Sequence, residues 1–258
     1  MKLAVFGDTA RNIGAIAARL AGVSDVIPVT SADAVDGEGW IGLVVDGEAD
    51  GAARIARTAL ANGQRVLLVG IPKHEPGAWT EPARDGLTLS RPLRFDPHIA
   101  RASEVVRGGT IGAPRTLELC WSFAGDDASS AVTELVDVAC ALLDSGPAAI
   151  YAAASEVTGP PLIKVNVLTA SGAFAVIEAA AESDDLPARR DLHLLATDGE
   201  IAHRIGQDDL LWSEGRARPL PGATATEALQ AQEIAVWIDG GSDGLARGLA
   251  VGWNVAVG

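Results

Sequence analysis

The sequence predicts two domains of different class: an α/β domain on a parallel sheet, then an α+β domain on a mainly antiparallel open sheet. Three observations carry this. Apolar runs of strand length alternate with Ala-rich helical stretches as far as about Arg107. Beyond Gly108-Gly109 such runs follow one another with one clear helix among them, the habit of an antiparallel or mixed sheet. The chain has 258 residues, 48% hydrophobic and 21% charged, with a mean hydropathy of +0.21, enough to bury a sizeable core in each half.

Residues 2–6 read as a strand ended by Gly7, and small and aliphatic residues at helical spacing make 13–20 a helix. Residues 25–30 read as a strand in which Pro28, lacking an amide to donate, favours an edge or irregular position. Residues 41–45 form a continuous apolar strand, 51–61 an Ala-rich helix stopped by Asn62-Gly63, and 65–69 another strand ending before Pro72. This alternation implies right-handed crossovers. After a polar loop, 73–85, come a short strand at 86–90 and a helix at 97–107 closed by Gly108-Gly109. The first domain is placed at 1–113 and the second at 114–258. In the second, strands at 115–123, 148–156, 162–169, 173–180 and 191–197 accompany the helix 131–143. Helical spacing in 224–239 and 244–255 predicts a tail that packs back, with the first domain as its candidate support.

Thirty-four acidic against twenty basic residues leave a net charge of -14, which repels a phosphate backbone and argues against nucleic acid as a partner. No apolar run reaches the roughly 18–20 residues of a membrane span. Met1-Lys2 leads straight into 3–7 without a signal-peptide pattern, so a cytoplasmic protein with no membrane association is expected. Cys120 and Cys140 lie in apolar runs whose spacing and neighbours suggest neither a metal site nor a redox pair; both are expected to be buried thiols.

The segment Gly7-Asp8-Thr9-Ala10-Arg11-Asn12-Ile13-Gly14 follows the first strand, where a dinucleotide fold sets the pyrophosphate on a helix N-terminus. Gly7 stands where the first glycine of such a turn belongs, Thr9 replaces the second, and Asn12-Ile13-Gly14 makes a displaced ending, so the turn reads as one or two residues too long. Thr9 would intrude on the pyrophosphate, while Arg11 could pair with a phosphate or a 2′-phosphate. With no acidic residue at the tip of the second strand, where Thr30-Ser31 stand, the pattern leans away from NAD. The alternative is a plain strand-to-helix connection that holds no ligand.

The stretch Arg91-Pro92-Leu93-Arg94-Phe95-Asp96-Pro97, followed by Gly109-Thr110-Ile111-Gly112-Ala113-Pro114, resembles the Gfo/Idh/MocA oxidoreductases. Residues 56–72 are similar to that family's helix, glycine and strand before a Glu-Lys-Pro tripeptide. Glu134 to Gly146 resembles its active-site helix, and Ala196-Thr197-Asp198-Gly199-Glu200-Ile201 its Gly-Thr-x-Gly turn. The resemblance implies a Rossmann-like dinucleotide domain and a sheet domain for substrate and oligomer contacts. It further implies hydride transfer between NAD or NADP and a small hydroxylated substrate such as a sugar or cyclitol, with a Lys and a His handling the proton.

Aligned on Pro72, the Lys position holds Ile71 and the Glu position Gly70; aligned on Asp137, the His position holds Glu134 and the Asp before it Ser130. Glu134 and Lys73 are therefore the candidate catalytic residues, with His74 beside the latter. Gly7, Thr9, Arg11, Asn12, Ile13 and Asp46 are the candidate cofactor-binding residues. Asp46 opens Asp46-Gly47-Glu48-Ala49-Asp50, which replaces the family's Pro-x-x-x-His with carboxylates that oppose a pyrophosphate. Arg94, at the implied domain junction, and Trp121, beside a shortened loop at 124–130, are the candidate substrate contacts. His98 reads as a surface or capping residue, His193 and His203 as sheet residues. Two functions stay open. One is a working NAD(P)-dependent oxidoreductase. The other is a catalytically degenerate member kept for binding a small molecule or for assembly, as a homo-oligomer through the C-terminal sheet or as partner of an active relative.

Overall fold

The computed structural model describes residues 2–35, 39–70, 86–123, 128–155, 162–182, 189–204, 210–213 and 226–238. They divide into two compact units, one running to Phe95 and rejoined by the segment that contains the last described helix, the other beginning at Asp96.

In the first unit, β1 (Lys2–Phe6) leads through Gly7 alone into α1 (Asp8–Leu20). There follow β2 (Asp25–Pro28), a 3-10 turn at Ala32–Val35, β3 (Trp40–Asp46), α2 (Ala52–Ala61), β4 (Val66–Val69) and β5 (Leu87–Leu89). The strands are all parallel in the order β2-β1-β3-β4-β5, with β2 at the edge, where the missing amide of Pro28 does least harm. Strand residues of opposite parity feed opposite cores. Ala4, Leu43, Val45, Val66 and Leu68 pack under α2, while Leu3, Val5, Val44, Leu67 and Val69 pack under α1.

The second face is completed by α5 (Thr226–Ile238), which lays Ala231, Ile234, Trp237 and Ile238 on it beside α1. Gly42 makes this possible, because a Cβ there would stand 2.3 Å from Cη2 of Trp237. The Arg65 guanidinium lies 4.7 Å from the indole centroid and donates to the Trp237 carbonyl at 2.6 Å. Glu233 of the same helix is fully buried and accepts from the Ser90 hydroxyl and the Arg91 amide, so its charge is met by donors just past β5.

The second unit opens with Asp96, whose buried carboxylate caps α3 (Pro97–Arg107) by accepting from the amides of His98 and Ile99, with Pro97 at the first helical position. Then come β6 (Pro114–Phe123), α4 (Ala128–Leu142), β7 (Pro147–Ser155), β8 (Leu162–Thr169), β9 (Phe174–Ala181), β10 (Arg190–Ala196), β11 (Gly199–His203) and β12 (Leu210–Ser213). Seven strands form one sheet in the order β12-β11-β10-β6-β9-β8-β7, antiparallel except at β6–β9. One face carries Leu117, Leu119, Trp121, Val165, Val167, Ala175 and Ile177, all buried, and α4 packs on the central strands. Gly112, at φ 74, lets the turn at Thr197-Asp198 close on it, and the Ala113 amide donates to Thr197 Oγ1 at 3.0 Å.

The predicted classes of both halves are those observed, with several differences. The helix expected at 13–20 begins at Asp8, because Gly7 at φ 89 turns the chain in one residue. Asn12 and Ile13 therefore lie inside the helix rather than in an overlong turn. The division falls after Phe95 rather than at 113, since α3 packs on α4 of the second unit. The helix expected at 131–143 starts at Ala128, and two further strands, β11 and β12, extend the sheet beyond the five expected besides the turn at 196–201. His98 is buried and stacks on the equally buried His203, ring centroids 4.0 Å apart. The tail segment 244–255 lies outside the described residues. Among the described residues no helix is long and apolar enough to cross a membrane.

Replacing Gly42 by alanine should push the Trp237 ring off β3 and cost about 1–3 kcal/mol. Urea unfolding followed by tryptophan fluorescence reads this, and an unchanged midpoint would show that the contact is not tight.

Candidate functional site

In an open parallel sheet the ligand crevice lies beyond the carboxyl ends of the strands at the point where strand order reverses. Here that point is between β1 and β3, which end at Phe6 and Asp46. The first helical bond of α1 runs from the Arg11 amide to the Gly7 carbonyl at 3.1 Å, so the amides of residues 8–10 point out of the helix with no partner in it. One is met inside the chain: the Thr9 amide donates to Asp46 Oδ2 at 3.2 Å. The other oxygen, Oδ1, accepts from the Glu48 amide at 3.1 Å, which makes Asp46 the start of a tight turn. That turn is fixed to the neighbouring strand, since the Gly47 amide donates to the Val69 carbonyl at 2.7 Å. Asp46 is only 8% exposed. A Cβ on Gly7 would stand 2.4 Å from the Cβ of Asp46.

These residues do not fit a dinucleotide pyrophosphate. The glycine that would let backbone approach a phosphate instead admits an aspartate, and that carboxylate holds an amide an anion would use. Arg11, the expected phosphate partner, forms an exposed pair with Asp8 at 3.4 Å. Thr9 and Asn12 face solvent, and the Ile13 side chain is in the core against the sheet. Gly14 serves packing, because a Cβ on it would meet Val5 Cγ1 at 2.7 Å.

Of the catalytic candidates, Glu134 is half-buried on α4, inside the helix rather than at its start, between the buried Thr133 and Leu135 and one turn before the buried Asp137. Lys73, His74 and Ile71 lie outside the described residues. Gly70 ends the segment after β4 at φ 77. Arg94 is half-buried in the 3-10 turn Pro92–Phe95. Trp121 is 7% exposed on the covered face of β6, and the Arg190 guanidinium lies 5.6 Å from its ring centroid, so the ring already has a cationic neighbour.

The opposite face of the same sheet is open. Register places Ala149, Leu168, Phe174, Thr116, Leu195 and Glu200 in one row across the strands, with Tyr151, Asn166, Val176, Glu118 and His193 in the next. Tyr151 is 68% exposed, and Leu168, Phe174, Val176 and Leu195 are also exposed. Beside them Glu178 pairs with Lys164 at 3.1 Å and Arg189 at 3.3 Å, and Arg189 with Asp191 at 3.4 Å. Cys120 sits in this charged row, half-buried rather than buried, as is Cys140. Burial pushes its thiol above the usual range, and the nearby carboxylates add to this while Arg189 opposes it.

The architecture is a parallel-sheet unit joined to an open-sheet unit, with one helix covering the open sheet's inner face. It is the fold of the Gfo/Idh/MocA-type oxidoreductases. A myo-inositol dehydrogenase from Corynebacterium glutamicum superposes with a TM-score of 0.75 at 16% identity, covering 99% of this chain and 94% of that one. The UDP-N-acetylglucosamine 3-dehydrogenase of Acidithiobacillus ferrooxidans gives 0.73 at 16%, covering 100% and 97%. The biliverdin reductase of Synechocystis, solved with biliverdin and NADP+, gives 0.69 at 13%, covering 99% and 96%. No family profile matches the chain, and no curated protein matches it in sequence.

With its thiol shifted upward, Cys120 should react with a disulfide reagent several-fold more slowly than a free cysteine at pH 8 and approach the free rate only at higher pH. A pH series on a Cys140→Ser variant measures this; parity at pH 8 would contradict it.

Proposed function

We propose that this chain is a non-catalytic protein on an oxidoreductase scaffold, kept for binding or assembly. One observation carries the reading: α4 holds Glu134 at the position that the resemblance gives to the catalytic His, and no histidine stands anywhere on that helix. Proton transfer beside a departing hydride needs a group that takes the proton and a second that orients the hydroxyl. A carboxylate at Glu134 can accept a proton, but its partner position holds Ile71, an aliphatic chain with no proton to exchange.

The proposed assembly is a second copy of this chain against the outward face of the seven-stranded sheet. Exposed Tyr151, Leu168, Phe174, Val176 and Leu195 in adjacent rows make a larger apolar surface than isolated exposed residues do. The ion pairs along the neighbouring row give that surface a polar border. A cytoplasmic location belongs to this reading, supported by Cys120 and Cys140 standing outside any disulfide.

The purified protein, supplied with NAD+ or NADP+ and a panel of inositols, aldoses and sugar acids, should give no nicotinamide reduction at 340 nm. Turnover that Glu134→Gln abolishes would establish an enzyme instead. Light scattering should report a dimer that Phe174→Glu converts to monomer; a monomer at every concentration would leave a relative, not a second copy, as the partner.

A further inference from the structure

We infer that Asp46 is a built-in anion that occupies the pyrophosphate position of this fold and thereby excludes dinucleotides. The inference deepens the non-catalytic reading and rests on it, since it names the single residue through which the nucleotide site is closed.

Five features of the crevice converge on Asp46. Its carboxylate is at the carboxyl end of β3, beside the end of β1, the place where such sheets receive a ligand. Its Oδ2 takes the Thr9 amide at 3.2 Å, one of the donors that the start of α1 offers to an anion. The side chain cannot readily turn aside: Oδ1 is held by the Glu48 amide at 3.1 Å, and the Asp46 carbonyl accepts from the Ala49 amide at 3.2 Å. The residue is 8% exposed, so its charge meets little water to screen it. Lastly, Gly7 at φ 89 leaves the space that Asp46 fills, a Cβ there standing 2.4 Å from Asp46 Cβ and 3.1 Å from Oδ2.

A bound pyrophosphate would have to displace a carboxylate tethered to the same chain, at the high effective concentration that tethering gives, and would then face its charge. Asp8 is the contrast: it stands on the same first turn, but its side chain is 93% exposed and engages Arg11 rather than the amide. It should matter little.

The test is nucleotide binding to the full chain, read by fluorescence energy transfer from tryptophan to NADH and NADPH, and by calorimetry with ADP-ribose. Wild type should show no saturation to about 1 mM. Asp46→Ala, which frees the Thr9 amide, should bind ADP-ribose at least tenfold more tightly. Asp46→Asn, which keeps the shape and loses the charge, should gain less, and it keeps the test readable if the alanine variant does not fold. Asp8→Asn should stay within about twofold of wild type. Folded Asp46 variants that bind no better than wild type, or an equal gain from Asp8→Asn, would overturn the role of Asp46 while leaving the non-catalytic reading standing. Micromolar binding by wild type without turnover would likewise overturn only this inference; binding with turnover would overturn both.

Discussion

The amides that begin α1 must be met by something. A helix that starts one residue after a buried parallel strand aims its free N–H groups at the crevice where strand order reverses, and water, a ligand or the chain itself has to accept from them. Here the chain contributes an acceptor, Asp46, and several neighbouring features follow. Gly7 is needed at positive φ so that β3 can come close. The turn after β3 is pinned to β4 through Gly47. The crevice closes around an internal anion instead of standing open for an external one.

The same economy of contacts governs the far side of that sheet. A parallel sheet with one bare face is unstable in water, and α1 alone does not cover five strands. Trp237 lies over Gly42 and stacks beneath Arg65, and Glu233 is buried against Ser90 and Arg91, so α5 is held by packing at one point and by charge-assisted bonds at another. The second unit solves its own version differently: α4 covers the inner face of the open sheet, and the outer face keeps exposed apolar rows beside a ladder of ion pairs.

Much of this was legible in the sequence, for identifiable reasons. The strands 2–6, 41–45 and 162–169 are apolar runs or clean alternations bounded by turn residues, and they form within a residue or so of where they are expected. Helix α3 announces itself through Asp96-Pro97 at one end and Gly108-Gly109 at the other. The start of α1 was hidden because Asp8-Thr9 reads as loop; only the one-residue turn at Gly7 makes it helix. Strand β12 is four residues long, too short to show a period, and is fixed by pairing with β11. His98 looked like a surface residue because its stacking partner, His203, is remote in sequence. At the site, the sequence disclosed that Asp46 brings negative charge to the crevice rim. That the charge caps the helix is a fact of distance, and spacing alone does not carry it.

The bond from Arg65 to Trp237 joins residues 172 apart, and between them lies an entire second unit. Every strand of the β6–β12 sheet is therefore synthesised before the helix that covers the first sheet's flank. Chain order and structural completion differ here, because α5, which follows the whole second unit in the chain, is what seals the first strands.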